Sequence, residues 1–525
     1  MNRITKALAA LICAAMLCGC TGVPSRELSA PSESETESTA PPESFTDNAL
    51  PEYTIDKQDV LIKLNAESGV FDGVVRSDIE CDGDGYIVLD AGKKLTHIAD
   101  IPSPQHYRAS VSAYSESGAV IKLSALGETI GYYYIPPMEE LRFELFGVES
   151  LYFPAGAAVL NFDCESGSVC LDYIGIENSG AVPQMCYETS SSPVSQNSSL
   201  SAISLKNYLI DCYGRKVLTA QNVSPATNAE IDAIKAETGR FPAIRCGELA
   251  YVTDDDSAEK SEAELTLAMD WAKRGGIVSY TWHWFSPNTS KTVYAADTLF
   301  SLDGAFDGVD VEDIAAADDS ELKTQRDEGL ISDKLFTLVK DMDRAAEALK
   351  AFRDEDIPVL WQPLPESDTD LYWWGGNAEY SKLLWKLMFE RFVKYHKLTN
   401  LLWVWNGSSA EFCPDHNMVD IVGQTFAEHS TAPFAGRFRA LSDISDGYAK
   451  PLAITCCDRL PKPEYMLRDN AMWLWFAAGS GEVIITPEGE LSERFIDWTS
   501  LNLAYNSDIC ITLDELPNIS EYSIH

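Results

Sequence analysis

Carboxylates, thiols and indole rings are the side chains of this sequence that could do chemistry. The chain has 81 Asp and Glu residues and 13 Cys among its 525 residues, and paired carboxylates are the usual groups for general acid and base work. The cysteine spacing contains no Cys-x-x-Cys pair and no Cys/His cluster of the zinc type, so we assign no metal site to the thiols. Aromatic residues gather at the ends of short apolar runs, for example Trp282, Trp284 and Trp403.

Residues 204–525 are predicted to position these groups on a (β/α)₈ TIM barrel. Strand-like runs such as VLTAQN, IVSYTWHW and LLWVWNG alternate with helical segments such as EKSEAELTLAMDWAKRGG. Repeated βα units over this length are typical of a closed parallel barrel. The catalytic groups of such barrels lie at the carboxyl ends of the strands, which is where the aromatic residues gather.

Residues 53–178 are predicted to form a separate all-β sandwich. Short runs such as YIVLDA and AVIKLSAL are separated by Gly, Asp, Ser and Pro, a spacing typical of antiparallel strands. Val111 and Ala113 alternate with serines, which predicts one buried and one solvated face. The Ser-rich residues 179–203 are predicted to form a linker to the barrel.

The first twenty residues resemble a bacterial lipoprotein signal peptide. A short basic region precedes an apolar run too short to span a bilayer. The run ends in Leu-Cys-Gly-Cys, so we expect Cys20 to carry the lipid; the alternative is an ordinary secretory signal. Residues 21–50 are rich in Ser, Thr, Pro and Glu and predict a disordered tether. The mature protein would then lie on the extracellular face of the cell membrane.

The net charge of −41 excludes some classes of binding partner. Nucleic acid and anionic lipid head groups need clustered Lys and Arg, so they are poor partners for this surface. Neutral substrates and cations remain open, and contact with the membrane is expected through the N-terminal lipid only. Among the thiols, Cys164 and Cys170 either bridge a hairpin or stay reduced as core residues.

Several segments of the barrel region resemble glycoside hydrolase family 26, in particular bacterial endo-β-1,4-mannanases. They occur in the family's order along the chain: GGIVSYTWHW (275–284), VLWQPLPESDTDLYWWGG (359–376), NLLWVWNG (400–407), MVDIVG (418–423), KPLAITCC (450–457) and YNSDICITLDELPNI (505–519). The resemblance implies a retaining mechanism, in which a carboxylic acid protonates the leaving oxygen and a second carboxylate, about 5–5.5 Å away, attacks the sugar.

The resemblance assigns the proton donor but not the nucleophile. The family's Trp-Arg-Pro-Leu-His-Glu stretch reads Trp-Gln-Pro-Leu-Pro-Glu here, so Glu366 matches the proton donor. The family's nucleophile position, in Ala-Leu-Thr/Ser-Glu, is occupied by Cys456. An unactivated thiol is mostly neutral near pH 7, so we expect Cys456 not to act. Asp458, two residues later, is either a displaced carboxylate or a loop residue, and we prefer the second interpretation.

Four further positions near the site depart from the family pattern. Gln362 and Pro365 replace the Arg and the His that precede the acid, Gln424 begins the stretch that replaces acidic residues and a Tyr, and Gly479 replaces a Trp.

The resemblance also implies residues that hold the sugar. His283 and Trp284 match family contacts, Tyr251 matches an aromatic residue that lines the cleft, and Trp373 and Trp374 match an aromatic pair after the acid. Flat aromatic faces suit the apolar faces of pyranose rings. The alternative, that these tryptophans are barrel core, is weakest for Trp373 and Trp374, which occur in a Gly- and Asp-rich loop.

The sandwich resembles carbohydrate-binding modules of families 6 and 35. The resemblance is carried by LNAES (64–68), VCLDYIGIE (169–177) and the strands between them. It implies a structural calcium ion where the terminal strands meet, with Glu67 and Asp172 at the matching positions. Alternatively, both acids are strand-end surface residues. We expect no cofactor in the barrel.

Three functions follow from these observations. The favoured one is a monomeric cell-surface protein that binds β-mannan or a related neutral polysaccharide with little or no hydrolysis. The second is a working glycoside hydrolase with Glu366 as acid and Asp458 or Cys456 as an unconventional second group. The third is a surface protein without affinity for sugar.

Overall fold

The computed structural model describes most of residues 62–524. The signal peptide with Cys20, the tether and the first residues of the predicted sandwich lie outside the described residues. The positions within 62–524 that are not described are 103–104, 126, 139, 179–181, 183, 288–290, 428–433, 443, 446 and 448.

Ten antiparallel strands form the N-terminal domain, as the sequence pattern predicted. β10 is 23 residues long and pairs with β1, β4, β5, β6 and β7, so it joins the two layers of the sandwich. Apolar side chains from both layers, such as Val111, Phe162 and Ile174, form the core between them. The strands are β1 (Ile62–Asn65), β2 (Val70–Phe71), β3 (Val74–Arg76), β4 (Tyr86–Asp90), β5 (Lys94–Ile101), β6 (Gln105–Tyr114), β7 (Ala119–Ala125), β8 (Glu128–Ile135), β9 (Glu144–Phe153) and β10 (Gly156–Asn178).

The described part of the Ser-rich segment 179–203 is packed on the second domain. Tyr187 is buried, and its hydroxyl accepts the backbone N–H of Met472 at 2.8 Å. Ser199 caps the first helix, because its Oγ accepts the backbone N–H of Ala202 at 3.2 Å. The composition predicted a linker; the buried tyrosine and the cap show why this part of it is held to the barrel.

Eight parallel strands close into the predicted TIM barrel. Each pairs with the next from β11 to β18, and β18 pairs with β11 to close the ring. β19 (Cys510–Ile511) adds to β11 from outside, also in parallel. The barrel strands are β11 (Val217–Asn222), β12 (Ile244–Glu248), β13 (Ile277–Trp282), β14 (Val359–Pro363), β15 (Leu401–Asn406), β16 (Ile421–Phe426), β17 (Leu452–Cys457) and β18 (Trp475–Ala478).

Ten α-helices lie among the described residues, and most of them surround the barrel. A helix that packs on a parallel barrel buries one face, as α6 does with Leu335, Leu338, Met342 and Leu349. The helices are α1 (Leu200–Cys212), α2 (Ala229–Thr238), α3 (Ala258–Lys273), α4 (Val311–Ala316), α5 (Asp319–Asp327), α6 (Asp333–Asp354), α7 (Ala378–Glu390), α8 (Ala435–Ser442), α9 (Pro463–Arg468) and α10 (Trp498–Tyr505).

Membrane-spanning helices and disulfides were sought among the described residues. None of their helices has the length and apolar character needed to cross a membrane. No disulfide joins the cysteines of these residues, so Cys164 and Cys170 lie on β10 as separate thiols.

Candidate active site

The carboxyl ends of the barrel strands bring polar side chains into one mouth. Glu248 ends β12, Asn406 ends β15, and Glu366 lies in the loop after β14. All three side chains are buried. A parallel barrel places every strand's carboxyl end on the same face, so residues far apart in the chain meet here.

Glu366 is held by an unusual backbone. Leu364 and Glu366 both have a φ of 52°, a left-handed conformation that is uncommon outside glycine. The Glu366 N–H donates to the carbonyl oxygen of Asn406 at 3.0 Å, and its own carbonyl accepts the Thr369 N–H at 3.0 Å. Such conformations persist where the surroundings enforce them, often at functional sites.

The carboxyl of Glu366 lies in a dry environment. Burial raises its pKa, and this effect outweighs the hydrogen bond from Thr425 and the nearby His283, which both lower it. Its Oε2 is buried without a hydrogen-bond partner among the described residues. A carboxyl that holds its proton to a higher pH is suited to donate that proton or a hydrogen bond.

Glu248 orients His283 from the neighbouring strand. One oxygen of Glu248 accepts the backbone N–H of His283 at 3.0 Å and that of Ala250 at 2.8 Å. The other lies 2.5 Å from Nδ1 of the His283 ring. Because Nδ1–H is donated to Glu248, the neutral imidazole keeps the lone pair on Nε2. Glu248 thereby sets the tautomer of a predicted sugar contact.

Cys456 lies near the end of β17, beside Thr425. The two residues are register partners between β16 and β17, and Thr455 bulges out at this point. Asn406 bridges the strands, because its Nδ2 donates to Thr455 Oγ1 at 2.6 Å and to Thr425 Oγ1 at 3.2 Å. The Thr425 side chain is also hydrogen-bonded to Glu366, so Thr425 neighbours both the acid and Cys456.

Asp458 follows β17 directly and is buried. Its backbone N–H donates to the carbonyl oxygen of Phe426 at 3.2 Å, which continues the pairing of β17 with β16. Asp458 is therefore fixed at the mouth, on the strand that carries Cys456. The roles of Cys456 and Asp458 stay predictions.

The predicted tryptophan contacts are buried in the wall of the barrel mouth. Trp284, Trp373 and Trp374 are between 0% and 4% exposed. Trp373 Nε1 donates to the carbonyl oxygen of Trp284 at 2.6 Å, and Trp374 Nε1 donates to that of Pro365 at 3.0 Å. A covered ring cannot stack on a sugar unless it moves. All three rings are packed inside the fold, and their contact with sugar stays a prediction.

Tyr251 keeps more exposed surface than the tryptophans. It is half-buried in the short helix after β12, and its ring lies edge-on to Phe285, with centroids 5.7 Å apart. Lys260 Nζ lies 4.8 Å from the ring centroid. The role of Tyr251 as a sugar contact stays a prediction.

The other departures surround the same mouth. Gln362 is buried in β14, and Gln424 Nε2 donates to the carbonyl oxygen of Thr425 at 3.2 Å while its Oε1 has no partner among the described residues. The Gly479 N–H donates to the carbonyl oxygen of Cys457 at 2.9 Å. These neutral groups occupy the positions that the resemblance matches to charged or aromatic residues of the family.

Comparison with known proteins identifies the barrel. The model for "Glycosyl hydrolase family 26" matches residues 194–485, more than half of the chain. The chain belongs to glycosyl hydrolase family 26. This result confirms the family predicted from the barrel segments.

Relatives of this family 26 chain include proteins named as mannanases. A mannan endo-1,4-β-mannosidase of Thermothelomyces thermophilus is 30% identical over 373 residues, covering 69% of this chain and 72% of the relative. Mannan endo-1,4-β-mannosidase B of Piromyces sp is 27% identical over 484 residues, covering 88% and 78%. The crystal structure of a GH26-CBM35 β-(1,4)-mannanase of Podospora anserina shares the fold, with a TM-score of 0.58 at 23% identity, over 88% of this chain and 100% of that one.

Reasoning from sequence missed two polar residues of this family 26 site. Glu248 and Asn406 are the last residues of their strands. Glu248 is hydrogen-bonded to the His283 ring, and the carbonyl oxygen of Asn406 accepts the Glu366 N–H. The signal was available, since a polar residue that ends an apolar barrel strand points to the mouth. Their partners could not be read from the sequence, because the partners come from neighbouring strands.

The predicted calcium ligands meet at the loop 82–84 of the sandwich. Glu67 Oε1 accepts the Asp84 N–H at 3.1 Å, and Asp172 Oδ1 accepts the Asp82 N–H at 2.8 Å. No group of three or more His, Cys, Asp or Glu side chains suited to a metal occurs among the described residues. However, Glu67 Oε2 is buried without a partner in this part of the chain, which fits a cation. Calcium stays a prediction.

Proposed function

We propose that this chain binds β-mannan or a related neutral β-glycan at a bacterial cell surface, with absent or much reduced hydrolysis. The proposal is supported by two residues at the mouth. Glu366 is a buried acid, and Cys456 lies beside Thr425 at the position that the resemblance matches to the family's nucleophile. A retaining glycosidase needs a carboxylate in that place.

The groups around Glu366 support binding of a hydroxyl-rich ligand. Glu366 Oε2, Asn406 Oδ1 and Gln424 Oε1 are buried acceptors without donors among the described residues. A buried acceptor left without a donor costs about 1–3 kcal/mol, which a sugar hydroxyl could recover by donating to it. These acceptors are neutral apart from Glu366, so they suit a neutral glycan.

The rest of the chain fits capture at the cell surface. The N-terminal sheet-rich domain would act as a second sugar-binding module, and the tether would hold both domains away from a membrane to which Cys20 is attached by lipid. The relatives named as mannan endo-1,4-β-mannosidases support mannan as the polysaccharide.

Two measurements on the purified mature protein test this function. We expect calorimetric binding of mannohexaose without cleavage over days, and no reducing sugar released from galactomannan or glucomannan. Release of reducing sugar that disappears in Glu366→Gln would refute the loss of hydrolysis. Absence of binding to any mannan would instead favour a surface protein without affinity for sugar.

The second candidate is a hydrolase that uses Asp458. Its support is the position of Asp458, which is buried at the mouth one residue after β17. An inverting mechanism needs two carboxyl groups about 6.5–9.5 Å apart with a water molecule between them. Activity that is lost in Asp458→Asn but retained in Cys456→Ala would establish this candidate.

A further inference from the structure

Two tyrosines project from the same face of β8 in the sandwich. Tyr132 and Tyr134 are half-buried, and their rings are stacked with centroids 6.2 Å apart and planes at 29°. Tyr133, between them, is buried in the sandwich core. Residues i and i+2 of a strand share one face, so the tyrosines form a short aromatic strip on the outer surface of the sheet.

This edge of the sandwich lies against the barrel. β9 packs on α8, the helix between β16 and β17. On the neighbouring β8, the Tyr132 hydroxyl is close enough to Asp458 and Arg459 to feel their charges. Both residues follow β17 at the barrel mouth. The aromatic strip is therefore next to the end of the barrel that carries Glu366.

Polar groups flank the strip. Lys122, the register partner of Tyr132 on β7, forms an ion pair with Glu165 at 2.6 Å. On the barrel side, the Nε of Arg459 is buried without a hydrogen-bond partner among the described residues. A donor and a charged pair beside two ring faces are the groups that recognise a chain of sugar hydroxyls and apolar sugar faces.

We propose that Tyr132, Tyr134 and Arg459 form a glycan-binding strip that continues the barrel mouth onto the sandwich. The inference rests on the proposed function, since its occupant is the same neutral β-1,4-linked mannose chain. A short oligosaccharide would fill the mouth alone, whereas a long chain would reach the strip as well. Both domains would then hold one polysaccharide chain together.

Chain length separates this proposal from simple binding at the mouth. Loss of both rings should weaken binding of a long chain by about tenfold, because the apolar faces of the sugars lose the rings on which they stack. A tenfold change in affinity corresponds to about 1.4 kcal/mol. We expect Tyr132→Ala/Tyr134→Ala to lose this affinity for linear mannan and to bind mannotetraose as the wild type does. Tyr132→Phe/Tyr134→Phe keeps the rings and should retain most of the affinity.

Affinity electrophoresis with mannan and calorimetry with mannotetraose give the two readouts. Tyr173→Ala is the matched control, because Tyr173 is also half-buried but pairs with Asn65 of β1, in the other layer. Unchanged retention of the Ala double variant on mannan would overturn the strip, and so would an equal loss of affinity for mannotetraose. A wild type that binds neither ligand would overturn the proposed function as well.

Discussion

Two aspartates on α6 should make the stability of the barrel depend on pH in opposite directions. Asp341 is half-buried and accepts a hydrogen bond from Trp284 Nε1 at 3.0 Å. Burial raises its pKa from 3.8 to about 6. For Asp343, burial also acts to raise the pKa, but hydrogen bonds and charges from His396 and Arg391 outweigh it and lower the pKa to about 2.

The raised pKa of Asp341 makes the stability of the fold fall as the pH rises. The folded state holds the proton more tightly than the unfolded state, so stability is lost as the pH rises from about 4 through about 6. Each pKa unit corresponds to about 1.4 kcal/mol, which gives a cost of about 3 kcal/mol at high pH and about 2 kcal/mol between pH 4 and pH 8. Asp341→Asn keeps an oxygen for Trp284 and removes the charge. We therefore expect its stability relative to the wild type to improve by about 2 kcal/mol over that range.

Asp343→Asn is the matched control. The lowered pKa of Asp343 stabilises the fold above pH 4, and this contribution is lost only as the pH falls toward about 2. The variant leaves Arg391 buried without its carboxylate, so we expect a loss of about 3–5 kcal/mol that is nearly the same at pH 4 and pH 8.

Urea unfolding followed by tryptophan fluorescence measures both variants. All twelve tryptophans lie between residues 271 and 498, so the signal reports the barrel alone. A relative stability of Asp341→Asn that does not change between pH 4 and pH 8 would refute a raised pKa of the Asp341 carboxyl.

Three further outcomes are expected. Glu248→Gln should lower the free energy of unfolding by about 1.5–3 kcal/mol, because the buried carboxylate that orients His283 is lost. The exposed Glu482→Gln is the control in the same fluorescence assay. An effect of Glu248→Gln no larger than that of the control would contradict the prediction. Glu366→Gln should stabilise the barrel at pH 7 but not near pH 3. Burial raises the pKa of Glu366, so ionisation of its carboxyl opposes folding only above about pH 4.5. Urea unfolding at several pH values measures this difference. Calcium should raise the melting temperature of the sandwich in calorimetry, and Glu67→Gln should abolish the response to EDTA.

The barrel and its mouth could be predicted because their signals are local. Apolar runs that alternate with amphipathic helices define βα units wherever they occur, and the polar or aromatic end of a run marks the mouth. The burial of Trp373 and Trp374 could not be predicted in the same way. Their Gly- and Asp-rich surroundings resemble an exposed loop, but the indole N–H groups find backbone carbonyls inside the fold.

The alternation of residues along β6 gave a wrong prediction of its solvated face for a similar reason. Ser110 and Ser112 occupy the face of β6 that the pattern predicts to be solvated, yet both are buried. Ser112 Oγ donates to Asp172 Oδ2 at 3.1 Å, and Ser110 Oγ donates to the carbonyl oxygen of Gly175 at 3.4 Å. Small hydroxyl groups can be buried at low cost when β10 supplies acceptors, and a single strand does not show what its neighbour supplies.

The structure also explains why the thiol at position 456 is compatible with a well-formed site. In the mouth, Asn406 ties Thr425 to Thr455, and its carbonyl holds the backbone of Glu366, so the geometry of the acid depends on neutral hydrogen bonds rather than on a second carboxylate. Two carboxylates in one buried site repel each other and raise the free energy of the folded state. Under the proposed function, Cys456 in place of a carboxylate would avoid that repulsion. The barrel would keep Glu366 and the buried acceptors around it.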